Sequence, residues 1–276
     1  MAGSDALYRY DGKRVLVVGG ATGMGAAAAR IAADLGAEVV VLDHAPVEFD
    51  VAKAVKVDLR DRAGVDAALD EVGGRVDALF SAAGIADGAG VMKINFIAHR
   101  HIVDRLLQRN AMPPGSAICM ISSVAGLGWE SAMPTLIEFL ATPDFEAAAA
   151  WVDDHPGTDN YGFGKQAMNC YVARQSYPLL ARGIRINAIC PGPTDTPLAR
   201  ANADTWLTFA QDYRDATGAA QLTAEQMGQA MVFLNSPAAS GISGVNLLVD
   251  QGHVMSSLTE SWGAGTPMIK MLLGRY

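Results

Sequence analysis

The stretch Arg14-Val15-Leu16-Val17-Val18-Gly19-Gly20-Ala21-Thr22-Gly23-Met24-Gly25 decides the fold. After Arg14 every position is apolar up to the first glycine, as in a strand covered on both faces. Gly19, Gly23 and Gly25 then give the spacing G-x3-G-x-G, and Met24–Leu35 continues as an Ala-rich helical pattern. Glycines at such a bend permit a tight turn and let backbone N–H groups close on a pyrophosphate at a helix N-terminus. A glycine-rich turn without a ligand is the plain alternative. The position at the first strand–turn–helix favours a dinucleotide cradle.

Outward from this bend the same alternation continues. Glu38–Leu42, Ala54–Val57, Val76–Phe80, Ala117–Ile121, Arg185–Ile189 and Val245–Val249 read as further strands. Arg62–Val72, Val91–Asn110, Tyr161–Arg182 and Ala224–Leu234 read as helices between them. The expectation is an α/β chain, one domain over residues 1–276, with a doubly wound parallel sheet of the Rossmann type. Two segments break the rhythm. Asp43–Ala54 is short and holds Pro46, so no crossover helix is expected there. Residues 126–159 are too long for a plain loop and read as an inserted helical pair, Thr135–Leu140 and Asp144–Asp153, before the helix at Tyr161. The tail, 253–276, is weakly patterned. It either folds over the site or is mobile.

Composition narrows the function. Of 276 residues, 50% are hydrophobic and 18% charged, which fits a folded chain with a sizeable core. Lys plus Arg is 21 against 29 for Asp plus Glu, a net charge of −8, and no basic run exists. Nothing there suits nucleic acid or an anionic membrane. Cys119, Cys170 and Cys190 are far apart in apolar runs and read as inert thiols, so neither a metal site nor a disulfide is expected. His99 and His101 are two apart on a helix and make poor co-ligands. With His155 and His253 they read as surface residues, while His44 is placed to touch an adenosine. The N-terminus has no signal pattern and no apolar run is long enough to span a bilayer, so a soluble cytoplasmic protein is expected.

Asp43 ends the second strand, 24 residues after Gly19. An acid there accepts bonds from adenosine ribose hydroxyls and repels a 2′-phosphate. No Arg or Lys lies in the glycine loop or directly after Asp43, so NAD is expected over NADP. Further along, Tyr161-Gly162-Phe163-Gly164-Lys165 puts a phenol and an amine on one helical face, and Ser123 follows the strand Ala117–Ile121.

In these features the chain resembles the short-chain dehydrogenase/reductase family. The resemblance rests on the glycine loop, Asp58-Leu59, Ser81-Ala82-Ala83-Gly84, Asn95, Ile121-Ser122-Ser123, Tyr161/Lys165, and Asn187-Ala188-Ile189-Cys190-Pro191-Gly192 leading to Thr196. It implies Tyr161 as the acid/base, with its pKa lowered by Lys165, and Ser123 as the donor to the substrate oxygen. Lys165 would also bond the nicotinamide ribose, and Asn95 would hold a water linking Lys165 to solvent. Ser122 is set aside because the family uses the second serine of such a pair. Cofactor contacts are implied at Gly19, Thr22, Gly23, Met24, Gly25 and Asp43. Asp58 and Leu59 would border the adenine, and Ala83 and Gly84 the adenine ribose. Pro191, Gly192, Thr194 and Thr196 would frame the nicotinamide.

The chain departs from the family where Ser81-Ala82 replaces the usual Asn pair and Val18 the usual Thr, and in the length of the segment between Ser123 and Tyr161. That segment resembles bacterial 3α-hydroxysteroid dehydrogenase/carbonyl reductases and coniferyl-alcohol dehydrogenase-like members. The implied function is hydride transfer between NAD(H) and a bulky hydrophobic alcohol or ketone, a hydroxysteroid or an aryl alcohol. Trp206 and Phe209 are expected as a lid, with Leu127, Trp129 and Met133 opposite, unless these only pack the insertion and lid together. Trp262 either closes the pocket, touches a second subunit or is disordered. A homodimer or homotetramer is expected, with the insertion blocking the face of the Tyr161 helix. An NAD-retaining epimerase or dehydratase and a non-enzymatic NAD sensor are the rival readings. The first normally has a different glycine spacing and a longer C-terminal part, and the second tends to lack the Tyr or Lys.

Overall fold

The computed structural model describes residues 4–274; the readings of the first three residues and of the last two of the tail lie outside it. One seven-stranded parallel sheet organises the chain: β1 (Arg14–Val18), β2 (Glu38–Asp43), β3 (Lys53–Lys56), β4 (Ala78–Ser81), β5 (Ala117–Ile121), β6 (Arg185–Pro191) and β7 (Asn246–Val249). The spatial order is β3-β2-β1-β4-β5-β6-β7. Register runs Val15↔Val39 on one side of β1 and Val15↔Ala78 on the other. The order reverses between β1 and β4, so a crevice opens at the carboxyl ends of those strands.

Strand alternation sends side chains to two cores. Leu16, Val18, Ile118 and Met120 face α2 (Arg62–Val72), α3 (Ala98–Gln108) and α6 (Tyr161–Leu180). Val15, Val17, Cys119 and Ile121 face α1 (Gly23–Asp34) and α7 (Ala224–Asn235). The insertion forms α4 (Met133–Leu140) and α5 (Phe145–Asp154). Leu136, Phe139, Phe145, Ala148 and Val152 bury it in the first core, and Phe139 meets Phe163 of α6 at 5.6 Å. Asp144 caps α5 by accepting from Ala147 N at 2.9 Å.

Several expectations need correction. Strand β3 starts at Lys53 and ends at Lys56, alternating in and out, because it is an edge strand. The helix expected from Val91 to Asn110 contains a π turn, Lys93–Ile97, before α3 begins. His99, His101 and His253 are buried. Residues 98–103 of α3 are all buried because the helix lies between the sheet and neighbours on both flanks. Facing different sides there does not bring solvent. His101 Nε2 meets Asp66 at 3.0 Å, and His253 packs on Phe209 and Tyr213. His155 is half-buried and stacks on Trp151 at 3.8 Å. All three cysteines are free and buried. The tail folds as α8 (His253–Leu258) and α9 (Thr266–Leu272). Among the described residues no helix is long and apolar enough to cross a membrane.

Candidate active site

At the crevice lies a cavity of about 750 Å³. The glycine loop forms one wall. A Cβ on Gly25 would overlap the Gly19 carbonyl oxygen, so the turn closes only on a bare α-carbon there. Helix α1 starts after Thr22, whose side chain makes no cap bond, and its first turn carries no acid. Its N–H groups therefore stay free for an anionic group at the cavity wall. Asp43 Oδ2 accepts from Ala21 N at 2.8 Å and Oδ1 from Ala45 N at 3.0 Å, which ties this acid to the loop. His44 is exposed, 3.2 Å from Asp43, and lines the cavity. This free helix end, the bare turn and the fixed carboxylate fit a dinucleotide.

Every residue expected to touch the cofactor lines this cavity, from Gly19, Thr22, Gly23, Met24 and Gly25 through Asp43, Asp58, Leu59, Ala83 and Gly84 to Pro191, Gly192, Thr194 and Thr196. Arg60 lines it too, a residue that reading beside the glycine loop and Asp43 missed. Its guanidinium holds Asp58 at 2.7 Å, and that bond keeps the Asp58 carboxyl down at about 2. The only signal in sequence is the Asp58-x-Arg60 spacing after β3.

The catalytic candidates converge at the end of β5. Asn160 caps α6, accepting from Phe163 N at 2.9 Å, so Tyr161 stands at the first helical position and Lys165 one turn on. Ser122 turns away and donates to the Lys165 carbonyl at 3.1 Å. Asn169 donates to the Gly126 carbonyl at 2.9 Å, a second stitch between the loop and α6. Ser123 is left lining the cavity beside Tyr161, its hydroxyl accepting from Ala125 N at 3.1 Å.

Lys165 is buried, donates to the Ile121 carbonyl at 2.7 Å and lies 5.3 Å from the centre of the Tyr161 ring. Burial pulls its ammonium down to about 8. The lowered phenol pKa expected for Tyr161 is not what the structure has. Burial pushes it up, and the neighbouring Ser123 hydroxyl offsets this only in part. The amine gives one of its three donors to Ile121, and burial outweighs its pull on the phenol. Asn95 lies off the cavity, in the π turn. Its Oδ1 accepts from Ile85 N at 2.8 Å and its Nδ2 donates to Ile85 O at 2.9 Å. The Ser81 hydroxyl, where the family usually has an amide, is buried without a partner among the described residues.

Short helices at Pro197–Arg200, Ala203–Trp206 and Gln211–Thr217 form a flap over the cavity. Thr196 caps the first by accepting from Ala199 N at 3.1 Å. Buried Arg214 donates to Leu207 O and Gln211 Oε1 at 2.6 Å and Phe209 O at 3.1 Å, pinning the turn that carries Phe209. The Trp206 ring lies 5.0 Å from that of Tyr161. Trp206 and Phe209 line the cavity, whereas Leu127, Trp129 and Met133 do not. The turn Val124–Gly126 carries Leu127 into a cluster with Val254 and Ile269, and Trp129 packs on the main core. The opposite wall comes from the tail instead, through Leu272. Trp262 packs on Tyr213 of the flap at 5.8 Å.

Two family models match the chain: short chain dehydrogenase over residues 13–134 and enoyl-(acyl carrier protein) reductase over residues 147–254. Cis-4-hydroxycyclohexanecarboxylate dehydrogenase of Sinomonas cyclohexanicum is 31% identical over 87% of this chain and 96% of its own. Coniferyl-alcohol dehydrogenase of a Pseudomonas species is 26% identical over 87% and 96%. The structure of 3-alpha-hydroxysteroid dehydrogenase from Pseudomonas sp. B-0831 with NADH matches with a TM-score of 0.73 at 26% identity, covering 90% of this chain and 99% of that one. The chain belongs to the short-chain dehydrogenase family, oxidoreductases acting on CH–OH groups with a nicotinamide dinucleotide.

Proposed function

We propose that this chain is an NAD-dependent dehydrogenase that interconverts a bulky hydrophobic alcohol, a hydroxysteroid or an aryl alcohol, and its carbonyl form. The observation that carries this reading is the meeting of Ser123, Tyr161 and Lys165 on one cavity, with the Lys165 amine 5.3 Å from the Tyr161 ring centre and the Trp206 ring 5.0 Å from it. The bound dinucleotide supplies the hydride acceptor or donor. Tyr161 takes the alcohol proton or returns it, and Ser123 donates to the oxygen as its charge changes. Lys165 holds a positive charge beneath them and would bond the nicotinamide ribose. The substrate end, with Val124, Leu198, Trp206, Phe209 and Leu272, carries no charged side chain, which suits an apolar ring. The relatives named for coniferyl alcohol and a 3-alpha-hydroxysteroid support that class. We read residues 1–276 as one cytoplasmic domain that works as a homodimer or homotetramer.

Net NADH formation from a panel of steroids and aryl alcohols tests the reading. An epimerase or a sensor yields none, and that result overturns it. The direction of the Tyr161 shift sets a pH dependence. Proton acceptance needs phenolate, whose fraction grows by up to about tenfold per pH unit below the pKa. Alcohol oxidation is expected to speed up from roughly pH 7 to pH 9, while carbonyl reduction, which needs the phenol, does not. A flat oxidation profile over that range contradicts the assignment.

Asp43 supports NAD over NADP, because Arg60 is occupied by Asp58 while among the described residues no Lys or Arg pairs with Asp43. Asp43→Ala is expected to reduce the preference for NAD over NADP by about tenfold or more, one lost charge contact. The ratio of kcat/KM for the two cofactors measures it. A parent enzyme that already favours NADP sinks the reading of this acid.

A further inference from the structure

His99 lies one helical turn after Asn95, and both side chains reach the loop that follows β4. Asn95 takes both backbone groups of Ile85, and His99 Nε2 lies 2.9 Å from the Ala83 carbonyl oxygen. A carbonyl only accepts, so Nε2 carries the hydrogen and Nδ1 is a lone pair. That Nδ1 is buried with no partner among the described residues. An unpaired buried acceptor is costly, and an aliphatic side chain would fill the space without it. The ring is completely buried, and burial holds it neutral with a pKa of about 4. The Ala83 it holds is placed with little tolerance. A Cβ on Gly19 would overlap Ala83 N, so this loop packs directly behind the glycine turn.

We propose that His99 is a positioning residue for the cofactor: by holding the Ala83 carbonyl it sets loop 83–85 against the glycine turn, and its loss weakens dinucleotide binding but not the handling of the alcohol. The inference rests on the reading above that Ala83 and Gly84 touch the dinucleotide.

Fluorescence titration of NADH on the purified protein, without substrate, tests it in His99→Gln, His99→Asn and His99→Leu. The glutamine amide reaches the place of Nε2, the asparagine amide falls short, and leucine has no donor. Kd is expected to rise about tenfold or more in the asparagine and leucine variants and to stay within about threefold in the glutamine variant. Alcohol KM and kcat at saturating dinucleotide are expected to change by less than about twofold in all. If the leucine variant does not fold, the Gln/Asn pair carries the comparison. Hydrogen exchange of segment 83–85 in the ligand-free protein then reads the same loop, faster with Asn and unchanged with Gln. Equal Kd in the parent and the asparagine variant, or equal losses with Asn and Gln, overturns the proposal. A parent that binds no nicotinamide dinucleotide overturns the functional reading instead.

Discussion

Tyr161→Phe is expected to lower kcat by between about 10²- and 10⁴-fold while NADH still binds with nearly the parent Kd. The change removes one oxygen. That oxygen is the group that exchanges a proton with the substrate in the proposed reaction, and Ser123 lines the same cavity. The ring itself stays, and with it the packing against Trp206 at 5.0 Å and the position over Lys165 at 5.3 Å. The helix start is untouched, because Asn160 supplies the cap. Stability and dinucleotide affinity should therefore move little, and the loss should fall on the chemical step. Single-turnover kinetics with a responsive alcohol, beside a fluorescence titration of NADH, separates the two. A variant within about tenfold of the parent kcat would mean that another group carries the proton.

The second large effect is expected at the glycine turn. Gly25→Ala puts a methyl group into the Gly19 carbonyl oxygen, and the nearby Ala82 Cβ, at 3.0 Å from the added carbon, blocks a sideways escape. The obstacle is backbone, so either the turn or the first residues of α1 must move. Forcing extra atoms into a packed site costs typically about 1–3 kcal/mol. Here the same movement misdirects the free N–H groups at the helix start. We expect a lower melting temperature and a dinucleotide Kd raised by about 10²-fold, measured by calorimetry and by NADH fluorescence. Gly241→Ala is the control: nothing lies within 4 Å of its added carbon and its φ is not in the left-handed region. A Gly25→Ala protein that matches this control in both readouts would show that the turn is softer than its geometry indicates.

The strands and most helices were legible because their signals are local. An apolar run in β1, an i,i+4 phenol–amine pair in α6 and a Gly-x3-Gly-x-Gly turn are each read within a few residues. Local geometry carries them into place: Arg62–Val72 and Ala117–Ile121 stand where periodicity put them. The misses have a common cause. His99, His101 and His253 read as surface residues in sequence yet are buried, because alternation along a helix says which way a side chain turns but not what covers it. Leu127, Trp129 and Met133 follow Ser123 closely in sequence, yet a short turn carries them off the cavity, while Leu272, far along the chain, lines it. The raised phenol pKa of Tyr161 has the same origin, since desolvation is a property of the surrounding fold and not of the Tyr-x3-Lys spacing.

By itself the amino-acid order determined the sheet-and-helix alternation, the place of the dinucleotide turn and the phenol–amine–serine set, because these depend on backbone preference and on spacing within a turn or two. Only the tertiary structure decided that Arg60 lines the cavity already paired, that His99 reaches the Ala83 carbonyl behind the glycines, and that Leu272 of the C-terminal helix lines the same cavity. Those contacts join segments distant in sequence, and their free energy comes from burial and pairing that exist only once the sheet and its covering helices have packed.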